Sequence, residues 1–171
     1  MTTVIKSRAV LLKKDDVSTD QIWPGQYVNV SDPKEMPEHV LEGADRTLKT
    51  RFKTVGQILV SGSSFGCGSS REQAVISLIE AGVKAVVVKS AGRIWYRNAI
   101  NLALPVLICP EAVDRVEEGE EITVNLKEGT VMTADGAVLR GEPVGDFVLN
   151  ILESGGIVPL MLKKNSEKGE Q

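Results

Sequence analysis

Gly56-Gln57-Ile58-Leu59-Val60-Ser61, then Gly62-Ser63-Ser64-Phe65-Gly66-Cys67-Gly68, then Ser69-Ser70-Arg71-Glu72-Gln73-Ala74-Val75-Ile76-Ser77-Leu78-Ile79-Glu80-Ala81-Gly82, then Lys84-Ala85-Val86-Val87-Val88-Lys89: this run decides the fold. The first piece is apolar enough for a strand, and the second is a loop of small residues. The third predicts a helix. Ser69 and Glu72 have the spacing of a capping box, Val75, Leu78, Ile79 and Gly82 share one face, and Gly82 is a stop. The fourth is a strand apolar enough to be buried on both faces. Strand, helix and strand at this spacing make a βαβ unit, so the two strands run parallel.

The pattern extends outward from this unit. Arg93 to Leu102 predicts a second helix, and Leu104 to Cys109 another strand closed by Pro110. Upstream, Thr3 to Leu12 is rich in β-branched residues and predicts a strand, followed by a polar loop ending at Pro24-Gly25. Asp32 as cap and Pro33 at the first position predict a helix from Ser31 to Gly43. Beyond Gly119 the texture changes to short strands, Glu121 to Leu126, Thr130 to Ala134 and Ala137 to Arg140, separated by Lys127-Glu128-Gly129 and Asp135-Gly136 turns. Asp146 to Ser154 predicts a short helix ended by Gly155-Gly156, and Lys163 to Gln171 a frayed polar tail. The class is α/β with mixed parallel and antiparallel strands.

Composition narrows the function classes. With 171 residues, 42% apolar and 25% charged, the chain is expected to be one soluble globular domain. No apolar run approaches the ~20 residues of a membrane span, and Met1 to Arg8 lacks the features of a signal peptide. The net charge of −3 with scattered basic residues and 4% aromatics argues against nucleic acid as a partner. Two cysteines, Cys67 and Cys109, make no disulfide framework and are too few for an iron–sulfur cluster, which usually takes about four thiolates. No metal site is expected in this chain, and a reducing cytoplasm is the default compartment.

Chemistry concentrates between Gly62 and Glu72. A strand ends there, small residues including Gly66 and Gly68 follow, and a helix begins. Free backbone N–H groups and the positive helix end suit an anion. Ser69 and Ser70 add hydroxyls, and Arg71 adds a fork that matches a carboxylate or phosphate. The plainer alternative is a tight turn with Arg71 paired to a surface acid. A P-loop is excluded because no lysine precedes Ser69-Ser70. A dinucleotide fingerprint would need glycine where Arg71 stands. A serine hydrolase would need a histidine, and the single histidine, His39, reads as an exposed helix position.

Gly66-Cys67-Gly68-Ser69-Ser70-Arg71-Glu72-Gln73-Ala74 resembles the active-site motif of the aconitase superfamily's swivelling domain. Asp16-Val17-Ser18-Thr19-Asp20-Gln21-Ile22-Trp23-Pro24-Gly25 and Arg93-Ile94-Trp95-Tyr96-Arg97-Asn98-Ala99-Ile100-Asn101-Leu102-Ala103-Leu104-Pro105 resemble two further motifs of the small subunits of 3-isopropylmalate dehydratase. The resemblance implies a single swivelling β/β/α domain over residues 1–162, with residues 163–171 as a tail. It implies a hydro-lyase that removes water from a hydroxy acid and returns it to the neighbouring carbon, in leucine biosynthesis. It also implies a large partner subunit carrying a [4Fe-4S] cluster, whose open iron polarises the leaving hydroxyl. Carried onto this chain, Ser69 is the general base, as its alkoxide, and Ser70 and Arg71 hold a substrate carboxylate beside Gly66 and Gly68. Gln73 stands where many relatives have histidine. Cys67 reads as a small residue packed in a turn and Cys109 as core. Arg93 and Arg97 share a helix face that either binds the partner, lines the site entrance or is solvated.

In this family the loop after the Pro-Gly turn sets substrate choice, and relatives that take a tricarboxylate carry arginine there. Here the corresponding residues are Val28, Asn29 and Val30. A third carboxylate without a cation is costly to bind, and the valines suit an apolar substituent. This points to 3-isopropylmalate, with 2,3-dimethylmalate or citramalate next and homoaconitate disfavoured. A non-catalytic carboxylate-binding module is the reading outside the enzyme class.

Overall fold

The computed structural model describes residues 3–169; Met1, Thr2 and the last two residues of the expected tail, Glu170 and Gln171, lie outside the described residues. Among the described residues, seven strands form one mixed sheet. They are β1 (Val4–Leu12), β2 (Ile58–Ser61), β3 (Ala85–Val88), β4 (Val106–Ile108), β5 (Glu121–Asn125), β6 (Thr130–Met132) and β7 (Val138–Arg140). Their order is β4-β3-β2-β1-β5-β6-β7. The helices are α1 (Thr19–Ile22), α2 (Leu48–Thr54), α3 (Gln73–Glu80), α4 (Arg93–Asn101), α5 (Pro110–Arg115), α6 (Asp146–Glu153) and α7 (Ile157–Gly169). The α/β class with parallel and antiparallel strands is therefore the one observed. No described helix is long and apolar enough to cross a membrane.

The first strand joins the two kinds of pairing. Val4–Arg8 runs antiparallel to β5, from Val4 opposite Asn125 to Arg8 opposite Glu121. Ala9–Leu12 runs parallel to β2, from Ala9 opposite Ile58 to Leu12 opposite Ser61. The burial of β1 changes at the same place, from alternating in its first half to largely buried in its second. The parallel half continues through β3 and β4.

Both faces of the parallel half are covered, as the apolar runs of β2 and β3 require. Because side chains alternate along a strand, Leu59, Val86 and Val88 join one core with Val75 and Leu78 of α3 and Trp95 of α4. Ile58, Val60, Ala85 and Val87 join the other with Val113 of α5 and Ile151 and Leu152 of α6. The parallel register aligns Leu12, Ser61 and Val88, the last residues of β1, β2 and β3, so their outgoing loops emerge together at one edge.

Three expectations are corrected. The helix predicted from Ser31 to Gly43 is instead a series of turns with a short 3-10 segment at Met36–Glu38. The Asp32 carboxylate closes a local turn by accepting the Lys34 N–H, and Leu41 takes a positive φ of 55°, which no α-helix continues through. The helix of this region is α2, whose Leu48 and Phe52 are buried one turn apart. The helix predicted from Ser69 begins four residues later, at Gln73, with Glu72 at its N-cap and no side-chain cap bond. Finally, Lys163 continues the helix opened at Ile157 rather than starting a frayed tail.

Candidate functional site

The segments leaving β1 and β2 are laced together. Asp16 N–H donates to Ser63 O at 2.8 Å, Gly66 N–H to Val17 O at 2.7 Å, and Thr19 N–H to Cys67 O at 2.8 Å. The Asp15 carboxylate accepts Ser63 N–H at 2.6 Å. From β3, the Ser90 hydroxyl accepts Ser64 N–H at 2.8 Å, and Gly92 N–H donates to Phe65 O at 2.8 Å. The loop is thus fixed by neighbours on both sides as well as by its own turn, in which Cys67 N–H donates to Ser64 O at 3.2 Å.

Two glycines explain its close packing. Gly66 is buried with φ +75°, and a Cβ there would lie 2.2 Å from Cγ of Trp95. Trp95 in turn packs edge-on to Phe65, ring centroids 4.9 Å apart. Gly66 therefore sets the loop against the core. Gly68 is exposed with φ +106°, and a Cβ there would come within 3.4 Å of Thr19 Oγ1. Both backbones sit in the left-handed region where glycine alone is unstrained.

The laced segments place Ser69. Its N–H donates to Thr19 Oγ1 at 3.1 Å, and its own hydroxyl lies 3.0 Å from the same oxygen. Ser69 is not a helix cap, so its hydroxyl is not committed to the backbone of the following turn. Among the described residues, the amides of Ser70, Arg71, Glu72 and Gln73 donate to no protein acceptor. They form a run of free donors between the serines and α3, which suits an anion. Asn98 of α4 donates to Ser70 O at 3.3 Å and ties this run to the second helix.

Arg71 is clamped by α1. Its Nη1 lies 2.6 Å from Asp20 Oδ1 and donates to Trp23 O at 3.2 Å, while its guanidinium rests against Gly25. The surface acid that one sequence reading gave this arginine as a partner is Asp20. The arginine side chain is nonetheless 30% exposed and keeps its Nε and Nη2 hydrogens for a ligand. α1 can serve as a clamp because it is closed by a capping box, with the Ser18 hydroxyl accepting Gln21 N–H and the Gln21 side chain accepting Ser18 N–H.

The chain after Gly25 forms a 3-10 turn to Tyr27. Val28 and Asn29 are exposed, whereas Val30 is half-buried against the core. Tyr27 stacks on His39 at 3.8 Å, and both rings pack around Trp23. His39 is therefore half-buried in an aromatic cluster beneath this loop, not an exposed helix residue. Tyr27 also acts on Glu42: its hydroxyl holds the Glu42 carboxyl below the usual range, against the opposing effect of burial.

Cys67 is half-buried in the loop and Cys109 fully buried at the end of β4, its thiol pushed up by burial. Among the described residues no group of three or more His, Cys, Asp and Glu side chains is arranged to hold a metal. Arg93 and Arg97 are exposed and line a groove of about 550 Å³ with Lys89, Tyr96 and Glu142.

Two residues that hold the site escaped the sequence reading of individual roles, Thr19 and Asp20. Their signal was the Ser18-to-Gln21 capping-box spacing, which marks a helix start just before them.

The aconitase C-terminal domain family model matches residues 4–111 of this chain. The 3-isopropylmalate dehydratase small subunit 1 of Methanopyrus kandleri is 47% identical over 165 residues, covering 96% of each chain. The isopropylmalate/citramalate isomerase small subunit of Methanocaldococcus jannaschii is 41% identical over 168 residues, covering 98% of this chain and 99% of the relative. The crystal structure of a 3-isopropylmalate dehydratase from the latter organism superposes with a TM-score of 0.87 at 36% identity, covering 98% of each chain. Agreement of this extent, over sequence and fold alike, leaves one assignment: the chain belongs to the aconitase C-terminal domain family, among the small subunits of the 3-isopropylmalate dehydratases.

Proposed function

We propose that this chain is the small subunit of a hydro-lyase that interconverts 2- and 3-isopropylmalate, and that Ser69 is its general base. The observation that carries the reading is the placement of Ser69. Its hydroxyl is pinned at one side by Thr19 and exposed on the other, two residues before a preset arginine. A serine hydroxyl is a weak acid and becomes a base only where donors and positive charge converge on its oxygen. The free amides of Ser70 to Gln73 and the guanidinium of Arg71 supply that field. Arg71, through Nε and Nη2, and the Ser70 hydroxyl orient a substrate carboxylate. Ser69 Oγ then takes the proton from the carbon beside that carboxylate and returns it in the rehydration step. Gly68, without a side chain, lets the substrate approach this row of groups.

The chain's own residues do not fit an iron–sulfur cluster. Its cysteines are one half-buried in the loop and one sealed in the core. The [4Fe-4S] cluster belongs, on this reading, to a large subunit, where it supplies the Lewis acid for the departing hydroxyl. The exposure of Gly68, Ser69 and Ser70 supports such a partner, because proton abstraction beside a carboxylate needs a site closed to water. On this reading the complex is cytoplasmic, and residues 1–162 act as one swivelling domain.

Val28, Asn29 and Val30 lie beyond the Pro24-Gly25 turn that touches Arg71, and they place no cation beside it. That supports an alkyl-bearing malate over a tricarboxylate. Citramalate is the second substrate to test, since a relative 41% identical is named for both acids. The test is anaerobic reconstitution with the cognate large subunit, following 3-isopropylmalate, citramalate, 2,3-dimethylmalate and homocitrate. Ser69→Ala is expected to lower kcat by roughly 10²–10⁴-fold, the usual contribution of a general base. Undiminished turnover would remove Ser69 from the mechanism. Carboxylate binding by the chain alone, with no turnover in a formed complex, would favour the binding-module reading.

A further inference from the structure

We propose that Thr19 is a positioning residue for this reaction: its hydroxyl donates to Ser69 Oγ and both aims the base and stabilises its alkoxide. The inference rests on Ser69 being the base and goes beyond it by naming what holds that base.

The hydrogen-bond directions carry the proposal. Ser69 N–H can only donate, so at 3.1 Å it makes Thr19 Oγ1 an acceptor. The contact between the two hydroxyls, at 3.0 Å, is open to either direction while Ser69 keeps its proton. Once that proton is gone, Thr19 alone can donate across it. A bond of this kind to an anionic oxygen is shorter and about twice as strong as its neutral counterpart. The interaction therefore strengthens in the state that does the chemistry, which is the condition for catalysis rather than mere binding.

The surroundings keep the Thr19 hydroxyl in place. Thr19 is 1% exposed, so bulk water does not compete for its proton. Its backbone N–H is fastened to Cys67 O at 2.8 Å, and it begins α1, whose N-terminus is closed by the Ser18–Gln21 box. Its β-branched side chain has few rotamers. Gly68 lies between the partners and has no Cβ to fill the approach to Thr19 Oγ1. Among the described residues, Ser69 is the only partner of the Thr19 hydroxyl, through its amide and its Oγ.

The test uses the complex reconstituted anaerobically with its large subunit. Thr19→Val keeps the shape and removes the hydroxyl, and Thr19→Ser restores it. Thr19→Val is expected to lower kcat about 10- to 100-fold, the range for one hydrogen bond to a charged group. KM should stay within about twofold, and the limb of the kcat–pH profile that reports the base should move to higher pH. Thr19→Ser should recover most of the loss. In a Ser69→Ala background Thr19→Val should cost nothing further. Wild-type kcat in Thr19→Val, or equal losses in the valine and serine variants with a raised KM, would overturn the proposal. If Ser69→Ala loses turnover while Thr19→Val does not, only Thr19 is misassigned. If Ser69→Ala keeps turnover, the base reading fails and this inference with it. Should Thr19→Val not fold, Thr19→Ala deletes the same hydroxyl and is read by the same criteria.

Discussion

Replacing Gly66 by alanine tests whether the loop that carries Ser69 is held by packing or by its own turn preferences. The new Cβ would lie 2.2 Å from Cγ and 2.6 Å from Cβ of Trp95, well inside any normal contact. The indole cannot yield easily, being 1% exposed and packed edge-on to a fully buried Phe65. Nor can the loop retreat: a Cβ on Gly92 would be 2.6 Å from Gly66 O, so the backbone is already in close contact behind it. The substitution also forces a side chain onto φ +75°, which costs about 1–2 kcal/mol. Overpacking a closed core adds about 1–3 kcal/mol. A total near 2–5 kcal/mol corresponds to a fall in Tm of roughly 4–20 °C for a chain of this length. Gly136→Ala is the matched control. Its φ is +85° with nothing within 4 Å of the new Cβ, so it carries the backbone cost alone. Urea unfolding followed by tryptophan fluorescence gives both values. Gly66→Ala should exceed Gly136→Ala by the packing term. Equal losses would show that Trp95 does not fix the loop, and the account of how Ser69 is placed would fail with it.

Two further outcomes follow from the charged network at the base of α2. Arg51 donates to Leu11 O at 2.8 Å, grips Glu118 with Nε at 3.1 Å and Nη2 at 2.6 Å, and reaches Asp45 at 3.2 Å, with its side chain only 24% exposed. Arg51→Met should cost about 2 kcal/mol in denaturant unfolding at neutral pH, the scale of hydrogen bonds to charged groups; a loss under about 0.5 kcal/mol would class it with ordinary surface pairs. The acid dependence comes from Asp45. Burial works to raise its carboxyl, but the Thr47 hydroxyl and amide and the Arg51 charge outweigh it and hold it below the usual range. A depressed carboxyl contributes stability above its unfolded pKa, about 3.9, and loses it as pH falls through the lower folded value. Wild-type stability should therefore decline below about pH 4, and Asp45→Asn should flatten that limb. An acid limb of unchanged slope in Asp45→Asn would exclude this carboxyl as a source.

What the sequence made legible was whatever is encoded locally. The parallel strands around Val60 and Val87 announce themselves as short apolar runs between glycine-rich turns, and the βαβ unit follows. Asp135-Gly136 and Gly155-Gly156 mark ends that the structure respects. The failures share one cause: a residue whose local pattern suggested one partner found another, near or far along the chain. Ser69 and Glu72 spell a capping box, but Ser69 bonds to Thr19, 50 residues away. Asp32-Pro33 spells a helix start, yet the carboxylate closes its own turn and Leu41 turns left-handed to bury its side chain. His39 reads as exposed until Tyr27 stacks on it. The division of β1 between an antiparallel and a parallel neighbour has no local signature, since it depends on where β2 and β5 arrive. Of the candidate site, the sequence singled out Ser69 and Arg71 but not the groups that contact them, Thr19 and Asp20.

Those groups have a common origin. Thr19, Asp20 and the Trp23 carbonyl all lie within five residues of α1 and its end, and each acts on the loop from Cys67 to Arg71. The segment after β1 is thus a template against which the segment after β2 is shaped, and the parallel register of Leu12 with Ser61 brings the two together. On the proposed function, aiming the base is therefore built into this chain before any second chain arrives. Covering it is not, because Gly68, Ser69 and Ser70 face outward. On the proposed function this division has a physical use. Donors arranged in advance stabilise the developing charge without reorganising, while an open face lets substrate enter before a partner excludes water. Variants in the template should then change kcat while leaving assembly with the large subunit intact. Variants of the outer surface, such as Arg93 and Arg97, should do the reverse if they belong to that interface. A template variant that abolished assembly but not turnover would contradict this separation.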